Sequence, residues 1–421
     1  MGAMDYITSA NICYLICDTL KLIDKRPIDH GIRVAYMMMK MLQCKGGYDE
    51  YEIAEFAFLA MIHDIGVYKT DELTDEFLYD TEENGNAHAA YGAIFLSCTS
   101  PFGDRTDIIR YHHLPYRKLS GIKYKYGKIA MYLSLLEDVD AVYRKEGAGM
   151  DYKTFEAGAG KCYLPEAVLL LTRCIRIEGM LEQFATGKYE EELHTFMHNA
   201  LFTNEEKENY IKFVMHCFSL GGKMRTVRPL LCCCIVDEIA ASLEIVGREK
   251  EKLEYAAMLH DIGMLRFDKT VIKAAQKMET AAEALRDHVK IGTDLLDKYF
   301  DVEGISEIVA AHHEHLNGKG YPNGLMGDEI TESQRVLQVA DFMTMHMVKD
   351  HMAMDKNEIL ALLVKCAENR ELGAKAVKGV IDRYDEIEKR IQSETRTFLE
   401  MHVRIKNSYK VLTGESTEEK V

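Results

Sequence analysis

The tetrapeptide His-Asp-Ile-Gly occurs twice in this chain, at His63–Gly66 and at His260–Gly263. A neutral imidazole beside a carboxylate is a ligand pair suited to borderline divalent ions such as Fe, Mn, Ni, Co or Zn. Neighbouring side chains on a helix diverge by about 100°. Adjacent His and Asp therefore act together only on something that can be reached from two directions, such as a cluster of ions, and an aspartate with two oxygens can bridge two of them. Two ions a few ångströms apart lower the pKa of a water held between them and clamp a phosphate on both its attacked and its leaving side. The pattern thus points to hydrolysis of a phosphoester. No cysteine accompanies the pairs, which argues against a structural zinc site. No serine elbow accompanies them either, which argues against a Ser-His-Asp nucleophile.

More histidines follow each pair in the same order. NAHAAYGAIFL around His88 answers RDHVKIGTDLL around His288, and IIRYHHLPY with His112 and His113 answers IVAAHHEHL with His312 and His313. Upstream, DHGIRVAYMM at His30 answers MRTVRPLL, which puts Arg225 where the opening histidine belongs. Four ordered matches at a near-constant offset of about 200 residues indicate a tandem duplication. The expected domains are 1–205 and 206–421, with the polar HNALFTNEEKENY as a connector or the start of a shared helix.

The elements that have to hold these residues read as helices. After His30, Val34, Met37, Met38, Met41 and Leu42 recur at helical spacing, as do Leu231, Ile235, Ile239 and Leu243, with Pro229 expected at the helix start. EIAEFAFLAMIHD is apolar enough for a central buried helix, with Gly66 as its expected C-cap. No alternating strand pattern is evident. Only six prolines in 421 residues agree with an all-α protein.

Composition narrows the function classes. With 47% hydrophobic and 29% charged residues the chain is an ordinary globular one, and a chain this long buries a core without disulfide staples. No run of about 18 apolar residues predicts a membrane span, and MGAMDYITSANICYLICDTL does not read as a signal peptide. The eleven cysteines, three of them consecutive at Cys232–Cys234, read as reduced core thiols, and a cytoplasmic location is expected. A net charge of −16 excludes DNA or RNA polymers as expected partners, because binding them rests on a basic surface. A small anionic ligand remains compatible where bound cations reverse the local sign.

These residues resemble the HD-domain metal phosphohydrolases, and within them the HD-GYP group. The resemblance rests on His30-Gly-Ile-Arg33-Val, His63-Asp64-Ile-Gly66, His88 with Gly92, and His112-His113 in the first half. In the second half it rests on His260-Asp261-Ile-Gly263, His288 with Gly292, and His312-His313-Glu314-His315-Leu-Asn-Gly-Lys319-Gly320-Tyr321-Pro322. Arg335-Val-Leu-Gln-Val-Ala-Asp341 resembles the motif that ends in the family's last metal-binding aspartate. The resemblance covers most of both halves. It implies an all-helical fold of two tandem HD-type domains and divalent metal ions, two per competent site. It also implies hydrolysis of a cyclic dinucleotide, cyclic di-GMP or cyclic GMP-AMP, in bacterial signalling.

The ligand set that follows is His30, His63, Asp64, His88, His112 and His113 in the first half, and His260, Asp261, His288, His312, His313 and Asp341 in the second. Asp64 and Asp261 are the expected bridging, catalytic carboxylates. The first half has no GYP loop. Matching Lys128 to Arg335 puts Ser134 opposite Asp341, with Glu137 and Asp138 one turn later, and Asp138 is the expected last ligand ahead of Glu137. Val67 and Met264 stand where many members carry a lysine, leaving Lys69 as the nearest substitute. Arg225 cannot ligate a metal, but its guanidinium can fill the vacated position or meet a phosphate. Arg33, Arg228, Lys319 and Tyr321 are further candidates for substrate contact. The first half is the expected active site. Competing readings are a cyclic-dinucleotide receptor without turnover and an HD-type phosphohydrolase of mononucleotides.

Overall fold

A computed structural model describes residues 7–69, 87–221, 223–275, 277–300, 304–348 and 355–413. Among them every named element is helical, and the only extended pairings are two isolated bridges, Ala159 with Tyr163 and Asn317 with Met326. The all-α expectation holds.

The chain forms two compact units, one of Thr8–Tyr210 with the chain from His402 onward, the other built on Ile211–Met401. The division falls inside the helix Asn204–Cys217, so NEEKENY is helical. Every cysteine is free, and Cys13, Cys17, Cys174, Cys217, Cys232, Cys234 and Cys366 are buried.

In the first unit, the helix Glu50–Met61 is started by a capping box. Asp49 accepts from the Glu52 N–H at 2.8 Å and Glu52 accepts from the Asp49 N–H at 3.2 Å. Every residue from Ile53 to Met61 is buried, so this helix runs through the core, and Arg26–Lys45 packs along it. Ile65–Tyr68 then forms a 3₁₀ turn, followed by the helices Ala87–Thr99, Asp107–Tyr111 and Gly127–Glu146. The second unit repeats this order: Lys223–Ser242, Gly247–Leu259, the 3₁₀ turn Ile262–Arg266, Asp287–Tyr299, Ile305–Ala310 and Glu332–Val348. Pro229 stands inside its helix rather than at the first turn, so it removes an interior backbone donor.

Gly66 does not cap the core helix. That helix ends at Met61, and Gly66 lies in the turn beyond it. Its role is close approach: a Cβ there would sit 1.9 Å from the carbonyl oxygen of His88. Gly263 meets the His288 carbonyl the same way, at 2.1 Å. A glycine after each His-Asp pair lets the turn press against the helix that carries the next histidine. Gly66→Ala is expected to destabilise the first unit by about 1–3 kcal/mol, the scale of overpacking. Thermal or urea unfolding checks this, and an unchanged midpoint would contradict it.

Candidate metal centres

Each histidine near a helix end has two ring nitrogens, and the structure assigns them different tasks. His63 Nδ1 donates to the carbonyl of Ala60 at 2.7 Å, a helix C-terminal carbonyl with no intrahelical partner. His112 uses the carbonyl of Ile109, His260 that of Ala257, His288 that of Leu285 and His312 that of Val309. Each bond fixes the tautomer with the proton on Nδ1, so the Nε2 lone pair is free to ligate.

In the first unit these Nε2 atoms converge. One set of donor atoms comes from His30, His63, Asp64 and Glu137, a second from Asp64, His88, His112 and His113, and within each set the atoms lie within 4.8 Å of one another. Asp64 belongs to both. Its Oδ1 is 3.5 Å from His63 Nε2 and 3.4 Å from His88 Nε2, and its Oδ2 is 3.7 Å from His30 Nε2. His113 Nε2 faces His88 Nε2 at 3.0 Å. Asp64 Oδ1 and His112 Nε2 are buried without a hydrogen-bond partner. Buried lone pairs aimed at a common point are costly unless a cation joins them, so the donor set fits divalent metal.

The carboxylate that the structure brings to His30 and His63 is Glu137, not the expected Asp138. Glu137 Oε2 is 2.7 Å from His63 Nε2 and 3.1 Å from His30 Nε2. Asp138 instead accepts from the Tyr163 hydroxyl at 2.7 Å. Successive residues on the helix Gly127–Glu146 point about 100° apart, so only one of the two faces the histidines.

Asp140 went unnoticed in the sequence. It is fully buried and accepts from His30 Nδ1 at 2.7 Å, doing for His30 what backbone carbonyls do for His63 and His112. Arg33 Nε and Nη2 bind the same carboxylate at 2.5 and 3.1 Å, and Arg144 adds a contact at 2.9 Å. Arg33 is thereby committed to Asp140, which corrects its expected role in substrate contact. Glu137 and Asp140 share a helix, three positions apart and so on one face, and that spacing was the available signal. Asp140→Asn is expected to weaken metal affinity about 10–100-fold, the usual cost of losing a residue that orients a ligand. Metal titration of the purified chain measures it, and an unchanged affinity would remove Asp140 from the site.

The charges agree with this division. Burial opposes protonation of His30, but Glu137, Asp140 and Asp64 more than offset it and raise its pKa to about 10. A metal ion bound there would take the place of that proton. Burial, and then the neighbouring imidazoles, push His112 well down and His113 to about 4, so both are neutral lone-pair donors at pH 7. Burial works against ionised Asp64 and Glu137, yet the surrounding histidines hold both below the usual carboxylate range.

Lys69 is not brought to this centre. Its ammonium lies over the ring of Tyr409, 3.9 Å from the centroid, and 5.4 Å from that of Tyr91.

The second unit also has two sets, but no residue is common to both: His288, His312 and His313, and His260, Asp261 and Asp341. His288 Nε2 and His312 Nε2 are 3.1 Å apart. Arg228 Nη1 is 3.2 Å from Asp261 Oδ2 and its Nη2 donates to Asp341 Oδ1 at 2.7 Å. Arg228 is therefore an internal partner of two carboxylates rather than a residue facing substrate. Burial disfavours both anions, but the guanidinium and His260 hold Asp261 and Asp341 below the usual range. The side chain of Arg225 lies outside the described residues.

The loop after His313 is held by Glu314, which is fully buried and accepts from the N–H groups of Asn323 at 2.6 Å and Leu325 at 2.9 Å. Gly320 passes so close that a Cβ would lie 2.3 Å from the His315 nitrogen. Tyr321 packs on His313 with ring centroids 4.7 Å apart, and the Arg286 guanidinium sits 4.9 Å from the tyrosine ring. Tyr321 thus shapes the second centre. Lys319 is exposed on the loop.

Comparison with known proteins adds to this geometry. Residues 213–371 match a family described as HD domain. The 3'3'-cGAMP-specific phosphodiesterase 1 of Vibrio cholerae is 22% identical over 377 residues, spanning 83% of this chain and 86% of that protein. A cyclic di-GMP phosphodiesterase response regulator of Xanthomonas campestris is 32% identical over 108 residues, 24% of this chain and 28% of that one. A crystal structure of a cyclic GMP-AMP specific phosphodiesterase of V. cholerae superposes with a TM-score of 0.56 at 15% identity, covering 90% of this chain and 98% of that chain. At that identity the likeness is one of fold. No helix among the described residues is long and apolar enough to cross a membrane.

Proposed function

We propose that this chain, which matches an HD domain over residues 213–371 and resembles cyclic-dinucleotide phosphodiesterases, is an HD-type phosphohydrolase that hydrolyses a cyclic dinucleotide at the centre of its first unit. The observation that carries this reading is Asp64, a single carboxylate shared by two complete ligand sets. Divalent ions held there supply positive charge against a phosphate and a water of lowered pKa.

The chain's own residues provide the rest. His63 and His112 present fixed lone pairs, and Asp140 holds the His30 ring in register. Asp64, Glu137 and His113 are the part-exposed members of the set, so the centre is open to solvent on their side. An anionic phosphodiester approaches there while the buried imidazoles behind keep the ligand field rigid. Phosphoryl transfer needs mainly charge and positioning, so no side-chain nucleophile is required. The relatives' names include cyclic GMP-AMP and cyclic di-GMP, which makes these two the substrates to try first.

The family match lies in the second unit, whereas the more complete ligand set lies in the first. The two halves are read as a duplication in which hydrolysis stays with the first. The test is the full chain, assayed for bound metal and incubated with cyclic GMP-AMP, cyclic di-GMP and a panel of mononucleotides. Linear dinucleotide as product supports the reading. Turnover of mononucleotides alone would replace it with a nucleotidase, and neither metal nor product would leave a receptor.

A further inference from the structure

We infer that Arg228 is a built-in cation that takes the place of one metal ion in the second centre, leaving that centre to hold a single ion on His288, His312 and His313. The argument is a comparison of two similar sites. In the first unit, His30, His63, Asp64 and Glu137 surround one position, and the nearby guanidinium, Arg33, is turned away onto Asp140. In the second unit, the corresponding donors are His260, Asp261 and Asp341. There Arg228 reaches between the two carboxylates, one guanidinium nitrogen to each.

The chemistry of the groups makes the two occupants exclusive. A guanidinium keeps its charge at any pH of interest and offers a rigid planar fork of donors. Asp261 and Asp341 are buried, and removing the cation between them would leave two buried carboxylates with His260 beside them. A divalent ion in the same place would face a fixed positive charge within bonding distance. Asp261 Oδ1, by contrast, has no hydrogen-bond partner and lies 3.7 Å from His288 Nε2. That oxygen is available as a fourth donor for an ion on the histidine triad. One ion cannot clamp both the attacked and the leaving oxygen of a phosphodiester. The second centre would therefore offer a phosphate group one ion and no two-ion clamp.

The inference is tested by locating ions one by one. Crystals of the full chain are loaded with Mn²⁺ and the anomalous signal is mapped. The expected result is one peak at His288, His312 and His313 and none between Asp261 and Asp341. A peak between those two aspartates, with Arg228 displaced, would overturn the inference. Arg228→Met is the second arm: it is expected to gain one ion per chain at the Asp261–Asp341 position and to become more heat-stable with Mn²⁺ than wild type does. A folded Arg228→Met chain with no added ion would also overturn it. The wild-type map decides the matter even if the variant does not fold. Peaks in the first centre report separately on the phosphodiesterase reading, so either conclusion can fail without the other.

Discussion

Asp64→Ala is expected to abolish hydrolysis, while Asp261→Ala leaves most of it intact. Asp64 supplies one oxygen toward His63 and His88 and the other toward His30, so it is the one group both ligand sets of the first unit require. Removing it separates the sets and leaves several buried imidazoles facing one another with nothing between them. The loss is expected to be at least about a hundredfold in kcat, the scale on which single charge-stabilising groups act. Bound metal should fall in parallel. Asp261 lies in a centre where a guanidinium neutralises the carboxylates, and its loss should alter the second unit's metal content without touching the chemistry of the first. Steady-state assays with metal analysis on the same preparations check both. Activity lost only in Asp261→Ala would move the active site to the second unit.

The second large effect separates two neighbours. Glu137→Gln is expected to cost metal affinity by more than the ~100-fold upper end seen for residues that merely orient ligands, with turnover falling alongside. The amide keeps the shape but removes the charge facing His30 and His63. Asp138→Asn should stay close to wild type, since that side chain is engaged with the Tyr163 hydroxyl and only the strength of one exposed hydrogen bond changes. Metal titration of the two variants side by side gives the answer. Equal losses would mean that the helix Gly127–Glu146 presents both carboxylates to the ions.

The Glu137 result also shows where sequence reading stopped. Matching the two halves aligned Ser134 with Asp341 and left a choice between adjacent acids one turn on. That choice depends on helix rotation of about 100°, and register across unrelated loops does not fix rotation. Asp140 was missed because a carboxylate that orients a ligand makes no motif of its own. Arg33 and Arg228 stand at the same distance after their opening positions in sequence, yet one binds a supporting carboxylate and the other enters a centre. Nothing in the local sequence distinguishes them, because the outcome depends on which carboxylate a different helix brings within reach.

What the sequence determined by itself was the inventory: helices from apolar periodicity, histidines and aspartates in a fixed order, and glycines after each His-Asp pair. Those properties are local, or repeat at a constant offset, and composition preserves them. The tertiary structure decided which donor atoms meet. It turned Glu137 inward and Asp138 outward, set Asp140 behind His30, and put a permanent cation between Asp261 and Asp341. Charges interact over a few ångströms in space whatever their separation along the chain, so whether a set of ligands forms a two-ion centre or neutralises itself is settled only when the helices pack.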